Sequence, residues 1–253
     1  MKRLTRIFSA VSAIFCCGLL LSACGKQMKV ASVENEFISI DSSLNAIQDS
    51  DYIRMLEPIR ENMEQQLNIK IGTAPREMTR FRPECELLNW ASDALAACAR
   101  KYYDGEVDMA VVNAGGLRCD WAAGDITFRS VFELMPFDNE LVILTMKGTT
   151  LIELAENCVM LGGQGVSKEF RVTGLNGQLE SVLLSGKPID PEATYYLATS
   201  DYLSGGADGL AALTHFTNRH MTGKKIRDLY IEYISEQKVV EAVIDGRMNL
   251  ISE

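Results

Sequence analysis

The sequence contains very little histidine, with only His215 and His220 among 253 residues. A catalytic zinc or two-metal centre usually takes several imidazoles together with carboxylates, so a self-contained metallohydrolase is hard to build from this chain. Both histidines lie in the polar stretch THFTNRHMTGKK, which predicts a solvated loop leading into a helix. We therefore expect no metal site and no catalytic role for either histidine.

Common catalytic motifs are also absent, because the chain has no G-x-S-x-G elbow, no Walker loop and no G-x-G-x-x-G. We therefore predict no catalytic residue and no cofactor in this chain. Four cysteines follow the first 24 residues, and their spacing matches no zinc pattern. Buried free thiols are the preferred interpretation for Cys85, Cys98, Cys119 and Cys158.

Long apolar runs are lacking except at the N-terminus, where three basic residues precede residues 7–21. This run is short for a membrane span and ends at small residues, which is typical of an export signal. The stretch Leu21-Ser22-Ala23-Cys24 resembles the lipobox of bacterial lipoproteins, which implies acylation of Cys24; an uncleaved anchor is the alternative. We predict a signal peptide over 1–23, a polar tether over 24–50 and one domain over 51–253, lipid-anchored at the cell envelope on an undetermined leaflet.

The charge balance is acidic, with a formal net charge of −9 that becomes more negative once the basic signal segment is removed. Such a surface repels nucleic-acid backbones, so we predict no nucleic-acid partner. A small anionic ligand remains compatible with this charge if arginines gather inside a cleft.

Periodicity predicts mixed secondary structure. Apolar residues recur at helical spacing over 53–67 and 85–103, and further helices are expected from Gly148, where Thr150 and Glu153 have capping-box spacing, and over about 223–237. The segments MAVV, LVILTM, FRVTGL, LESVLL and TYYLAT predict strands. Because helices and strands do not alternate regularly, the pattern favours an α+β fold.

Three loop segments carry the candidate site. A strand runs into Gly115-Gly116 and then Arg118, whose planar guanidinium suits phosphate or carboxylate; a tight turn with a solvated arginine is the alternative. Two later segments, PFDN and SDYLSGGADG, each place an aromatic ring beside polar side chains at a strand end. Phe137 and Tyr202 can sandwich a planar ring while Asp208 accepts hydrogen bonds from vicinal hydroxyls, which together describe a nucleoside site.

The ordered motifs NAGGLR, AGDIT, PFDNELV and TYYLATSDYLSGGADG resemble the C-terminal domain of the 5′-nucleotidase and UDP-sugar hydrolase family over about residues 50–250. The resemblance implies that Phe137 and Tyr202 stack on the base and that Asn139 contacts it. It further implies that Asp208 holds the ribose and that Arg118 lies on the phosphate side. The glycines Gly115 and Gly116 would let the backbone approach the ligand.

Two departures from the family pattern stand out. The family loop reads G-G-D-G, whereas Ala207 here precedes Asp208, which costs on the order of 1 kcal/mol if that position requires positive φ, unless the loop bends differently. Additional family arginines near the first helix have no clear match, and Arg80 or Arg82 is only a weak candidate.

Family members also place a two-metal metallophosphatase domain ahead of this one. Its motifs are absent here, so the resemblance implies that the divalent metals belong to a separate metallophosphatase polypeptide. In that arrangement this lipoprotein supplies nucleotide specificity. The alternatives are a nucleotide- or nucleoside-binding surface lipoprotein without catalysis, and a degenerate assembly domain.

Overall fold

The computed structural model describes residues 30–37, 39–42, 44 and 49–252. The chain divides into two compact units, Met1–Ile53 and Arg54–Glu253. The predicted signal peptide and Cys24 lie outside the described residues, and the proposed domain boundaries stay predictions. None of the described helices is long and apolar enough to cross a membrane.

Helices and strands alternate irregularly along the second unit, as expected of an α+β fold, and the first helix begins just before it, at Ser50. The helices are α1 Ser50–Leu67, α2 Glu86–Tyr102, α3 Phe128–Leu134, α4 Gly148–Met160 and α5 Ile226–Gln237. The strands are β1 Lys70–Ala74, β2 Met109–Val112, β3 Gly124–Thr127, β4 Glu140–Lys147, β5 Gly165–Val166, β6 Phe170–Leu175, β7 Gln178–Leu184, β8 Lys187–Pro188, β9 Thr194–Ser200, β10 Asn218–Lys225 and β11 Met248–Ile251.

A five-stranded sheet with the order β10-β4-β9-β2-β5 forms the centre of this unit. Strand β2 runs parallel to β9, and β4 runs antiparallel to β9. A four-stranded sheet, β11-β6-β7-β8, and the antiparallel pair β1-β3 complete the architecture. The expected α+β fold is confirmed.

The central sheet is covered on both faces at β2, which explains why this strand is apolar at every position. Ala110 and Val112 join an apolar cluster that includes residues of α2 and α5, whereas Met109 and Val111 join a second cluster that includes residues of α4. Successive strand residues point to opposite faces, so a strand covered on both sides cannot alternate with polar residues.

Most predicted elements are present, with three corrections. Helix α4 begins at Gly148 without a side-chain cap, so the Thr150–Glu153 capping box is wrong; Glu153 instead contacts His215. A capping box does occur at α3, between Thr127 and Ser130. The stretch predicted as a loop around His220 forms strand β10, and the helix after it begins at 226, three residues later than expected.

Helix α1 forms as predicted, but its apolar stripe packs less than expected. None of its residues is buried, and Ile59 and Met63 are more than half exposed. Three of the four cysteines are buried and Cys119 is half-buried, and all four are free thiols.

Candidate functional site

The sheet topology brings three loops to one edge. Because β2 and β9 are parallel, their carboxyl ends lie at the same edge, and antiparallel β4 begins there, with Leu141 opposite Ser200. The segment after β2, the segment before β4 and the segment after β9 therefore meet. These are the three segments that carry the glycine, aromatic and acidic signals in the sequence.

A cavity of about 340 Å³ opens at this edge. It is large enough for a small organic ligand. All seven sequence-predicted residues line it together with Asn113: Gly115, Gly116, Arg118, Phe137, Asn139, Tyr202 and Asp208. Phe137 and Tyr202 are 39% and 49% exposed, so both rings are accessible to a ligand rather than packed in the core.

Two side-chain hydrogen bonds hold the Asp208 carboxylate in the cavity. Its Oδ1 accepts a hydrogen bond of 2.9 Å from the Tyr202 hydroxyl, and its Oδ2 accepts one from Asn113 Nδ2. The Asp208 carboxylate raises the pKa of Tyr202 through this hydrogen bond and through its charge. Each carboxylate oxygen has further acceptor capacity, so Asp208 is held in place and can still accept bonds from a ligand.

The loop that presents Asp208 bends at other positions than the sequence suggested. Gly206 and Gly209 have φ of 80° and 79°, and Asp208 itself has φ 54° and ψ 27°, whereas Ala207 is not in the left-handed region. Aspartate tolerates this conformation better than most non-glycine residues because its short polar side chain bonds locally. Ala207 therefore carries no φ penalty, and the departure from G-G-D-G is accommodated.

Asn113 is the cavity residue that sequence reasoning missed. It directly follows β2 in the run NAGG, is 8% exposed, and joins Asp208 across 95 residues of sequence. A Cβ on Gly116 would lie 2.5 Å from Asn113 Oδ1, so the glycine makes room for this amide. The sequence signal that could have identified Asn113 is a polar residue directly after a strand that is apolar at every position.

Arg118 lines the cavity with most of its hydrogen-bonding capacity unused. Its Nη1 approaches Gly115 O at 3.3 Å, and its guanidinium carbon is 6.0 Å from the centroid of the Phe137 ring. Among the described residues it forms no ion pair, so its planar fork is available to an anion.

The weaker arginine candidates do not line this cavity. Arg80 bonds the Asp120 carboxylate and Leu117 O, so it braces the segment around Arg118. Arg82 bonds Leu161 O instead. Within the described part of the chain, no group of three or more His, Cys, Asp or Glu residues could hold a metal ion.

An α+β domain with an open cavity, exposed aromatic rings, a fixed carboxylate and an arginine that forms no ion pair among the described residues has the features of a small-molecule-binding domain. The family model described as 5′-nucleotidase, C-terminal domain, matches residues 70–215, and the chain belongs to this family.

Relatives and solved structures agree. Protein UshA of Yersinia enterocolitica is 29% identical over 201 residues, covering 77% of this chain and 36% of the relative, and protein UshA of Escherichia coli is 27% identical over 192 residues, covering 73% and 35%. The 5′-nucleotidase precursor structure from Thermus thermophilus superposes with a TM-score of 0.71 at 25% identity, covering 81% of this chain and 44% of that one. The chain thus spans about a third of the length of these curated relatives.

Proposed function

We propose that this domain binds a nucleotide or nucleoside and supplies specificity to a nucleotide-hydrolysing system whose metallophosphatase half is a separate polypeptide. The proposal rests on one cavity lined by two exposed aromatic rings, a hydrogen-bonded carboxylate and an arginine, Arg118, that forms no ion pair among the described residues. A base stacks between Phe137 and Tyr202 with Asn139 at its edge, and the ribose hydroxyls donate to Asp208. The phosphate then lies toward Arg118.

Family membership supports this assignment, and relatives named 5′-nucleotidase occur in Vibrio cholerae and mouse. The scarcity of histidine supports placing the divalent metals on the partner, where they would activate water for phosphate-ester cleavage. Acylation of Cys24 would hold the domain, and any nucleotide that it binds, close to an envelope membrane.

Binding is tested first, by calorimetry with the 5′-monophosphates of adenosine, guanosine, cytidine and uridine. Stacking contributes about 1–3 kcal/mol per base, so Phe137→Ala and Tyr202→Ala should each weaken the tightest of these ligands by roughly 5- to 150-fold. Val243→Ala, at an exposed position that does not line the cavity, is the control and should leave affinity unchanged. Absence of binding by the wild-type chain would refute the proposal.

Catalysis is tested second. The purified chain with Mn²⁺ or Zn²⁺ should not hydrolyse adenosine 5′-monophosphate, whereas adding a metallophosphatase polypeptide that lacks its own C-terminal domain should give activity whose KM rises in Phe137→Ala. Ile59→Asp and Met63→Asp each place a charge on the exposed apolar side of α1. These variants test whether the partner polypeptide packs against this helix. Sustained hydrolysis by the chain alone would contradict the two-component arrangement.

The alternative of a binding lipoprotein without catalysis makes the same binding prediction and differs only in the second experiment.

A membrane-partitioning assay comparing the full chain with Cys24→Ser tests the lipid anchor. Loss of membrane association in the variant is expected, and unchanged association would point to an uncleaved anchor.

A further inference from the structure

Three residues at the start of α5, Lys225, Ile226 and Arg227, form hydrogen bonds with the loop that presents Phe137 and Asn139. Arg227 Nη2 donates to Asp138 Oδ1 at 2.5 Å, and Lys225 Nζ donates to Asp138 Oδ2 at 3.0 Å. Arg227 Nη1 also approaches Phe137 O at 3.5 Å, and the Ile226 amide donates to Asn139 O at 2.9 Å. Three consecutive loop residues are thus tied to three consecutive residues of α5 and its N-cap.

Arg227 is held from its other side by an aromatic ring. Its guanidinium carbon lies 4.2 Å from the centroid of the Phe132 ring in α3, which is a close cation–π distance. The residue is only 9% exposed, and it does not line the cavity. Arg227 therefore connects the helix before the loop, the loop itself and the helix that packs behind it.

The contribution of this contact to overall stability should be small. The Asp138 side chain is 64% exposed, and ion pairs with exposed carboxylates contribute little. Arg227 Nε is buried and has no hydrogen-bond partner among the described residues, so the cost of desolvating the guanidinium offsets part of what the ion pair contributes. The distinctive effect of the arginine is geometric, because its planar fork reaches two adjacent loop residues at once.

We propose that Arg227 and Asp138 form a clamp that positions Phe137 and Asn139 against the bound base, and that Arg227 is a positioning residue of the nucleotide site. This inference rests on the proposed function. The clamp fixes the loop before ligand arrives, so that stacking requires no further ordering of the loop. Arg227 itself does not contact the ligand.

The test measures two properties of each variant: affinity for the tightest-binding nucleoside 5′-monophosphate of the four bases, and fluorescence quenching of a bound aminopurine ribonucleotide at saturation. Quenching reports stacking of the base, which a merely structural role of Arg227 would leave unchanged. Arg227→Met should weaken binding roughly 3- to 10-fold and reduce the quenching. Arg227→Lys, which provides a point donor without the fork, should lie between Arg227→Met and wild type.

Two further variants make the test independent of folding defects. Asp138→Asn changes an exposed side chain and should reproduce the weaker binding and reduced quenching with an unchanged melting temperature. Lys101→Met removes the ion pairs with Glu232 and Glu236 elsewhere on α5 and should leave both readouts at wild-type values.

The outcomes separate the two proposals. If wild type binds no nucleotide, the proposed function is overturned and the clamp with it. If wild type binds but Arg227→Met and Asp138→Asn match it in affinity and quenching, only the clamp is overturned. Weaker binding with unchanged quenching would also overturn the clamp, because the base would then still stack as in wild type.

Discussion

Replacing Gly116 by alanine should uncouple Asn113 from Asp208. A Cβ at position 116 would lie 2.5 Å from Asn113 Oδ1, closer than real Cβ contacts allow, and 3.2 Å from its Cγ, so the amide must rotate away. Gly116 does not have positive φ, so the substitution adds no backbone strain. The effect therefore isolates the loss of the hydrogen bond that Asn113 donates to Asp208.

The magnitude follows from the chemistry of that bond. A hydrogen bond to a charged group contributes about 1.5–3 kcal/mol, and the lower backbone entropy of unfolded alanine returns about 0.4–1 kcal/mol. The net destabilisation of Gly116→Ala is therefore about 0.5–2.5 kcal/mol, which lowers the melting temperature of a domain this size by roughly 1–10 °C.

Gly115→Ala is the matched control. A Cβ at this position would be 3.4 Å from Asp208 Oδ2, which is an ordinary contact. The melting temperature of Gly115→Ala should therefore equal that of wild type or lie slightly above it. Differential scanning calorimetry measures both variants. Equal melting temperatures for the two variants would refute the argument that space around Asn113 explains the second glycine.

The remaining predictions concern Tyr202 and the Arg247 network. Tyr202→Phe keeps the ring and loses the 2.9 Å bond to Asp208, so it should weaken nucleotide binding at most about fivefold, less than Tyr202→Ala; equal losses in calorimetry would mean that the hydroxyl outweighs stacking. Burial raises the pKa of Asp245, but hydrogen bonds from Arg247 outweigh it and the folded-state pKa is lowered. The ionised Asp245 therefore stabilises the fold above its unfolded pKa of about 3.9, and this stabilisation is lost as pH falls through the folded pKa. In Asp245→Asn the free energy of unfolding, measured by urea titration at each pH, should fall less steeply as the pH is lowered. An unchanged acid slope would contradict this assignment.

Much of the site was predictable because its residues close or open strands. A buried apolar strand followed by NAGG, and aromatic residues beside polar ones at two other strand ends, are local patterns. Their convergence required only that β2 and β9 run parallel and β4 antiparallel, and all seven predicted residues line one cavity. Their role in nucleotide binding stays a prediction until the binding experiments are done.

Strand β10 was not predictable for a physical reason. It is an edge strand whose side chains are almost all exposed, so its sequence NRHMTGKK lacks the apolar alternation that marks a half-buried strand. Missing the strand also hid the Arg227–Asp138 contact, which joins residues 89 positions apart through the pairing of β10 with β4. Local sequence patterns cannot indicate this pairing because neither face of β10 is apolar.

The loop at Ala207 shows how a departure from a family pattern can leave a site intact. The residue that needs the left-handed conformation is Asp208, and the glycines on either side, Gly206 and Gly209, take the other positive φ values. Because the bends fall on residues that tolerate them, alanine can occupy position 207 while the carboxylate still reaches Tyr202 and Asn113. The motif is thus better defined by the conformation each position requires than by its glycine count.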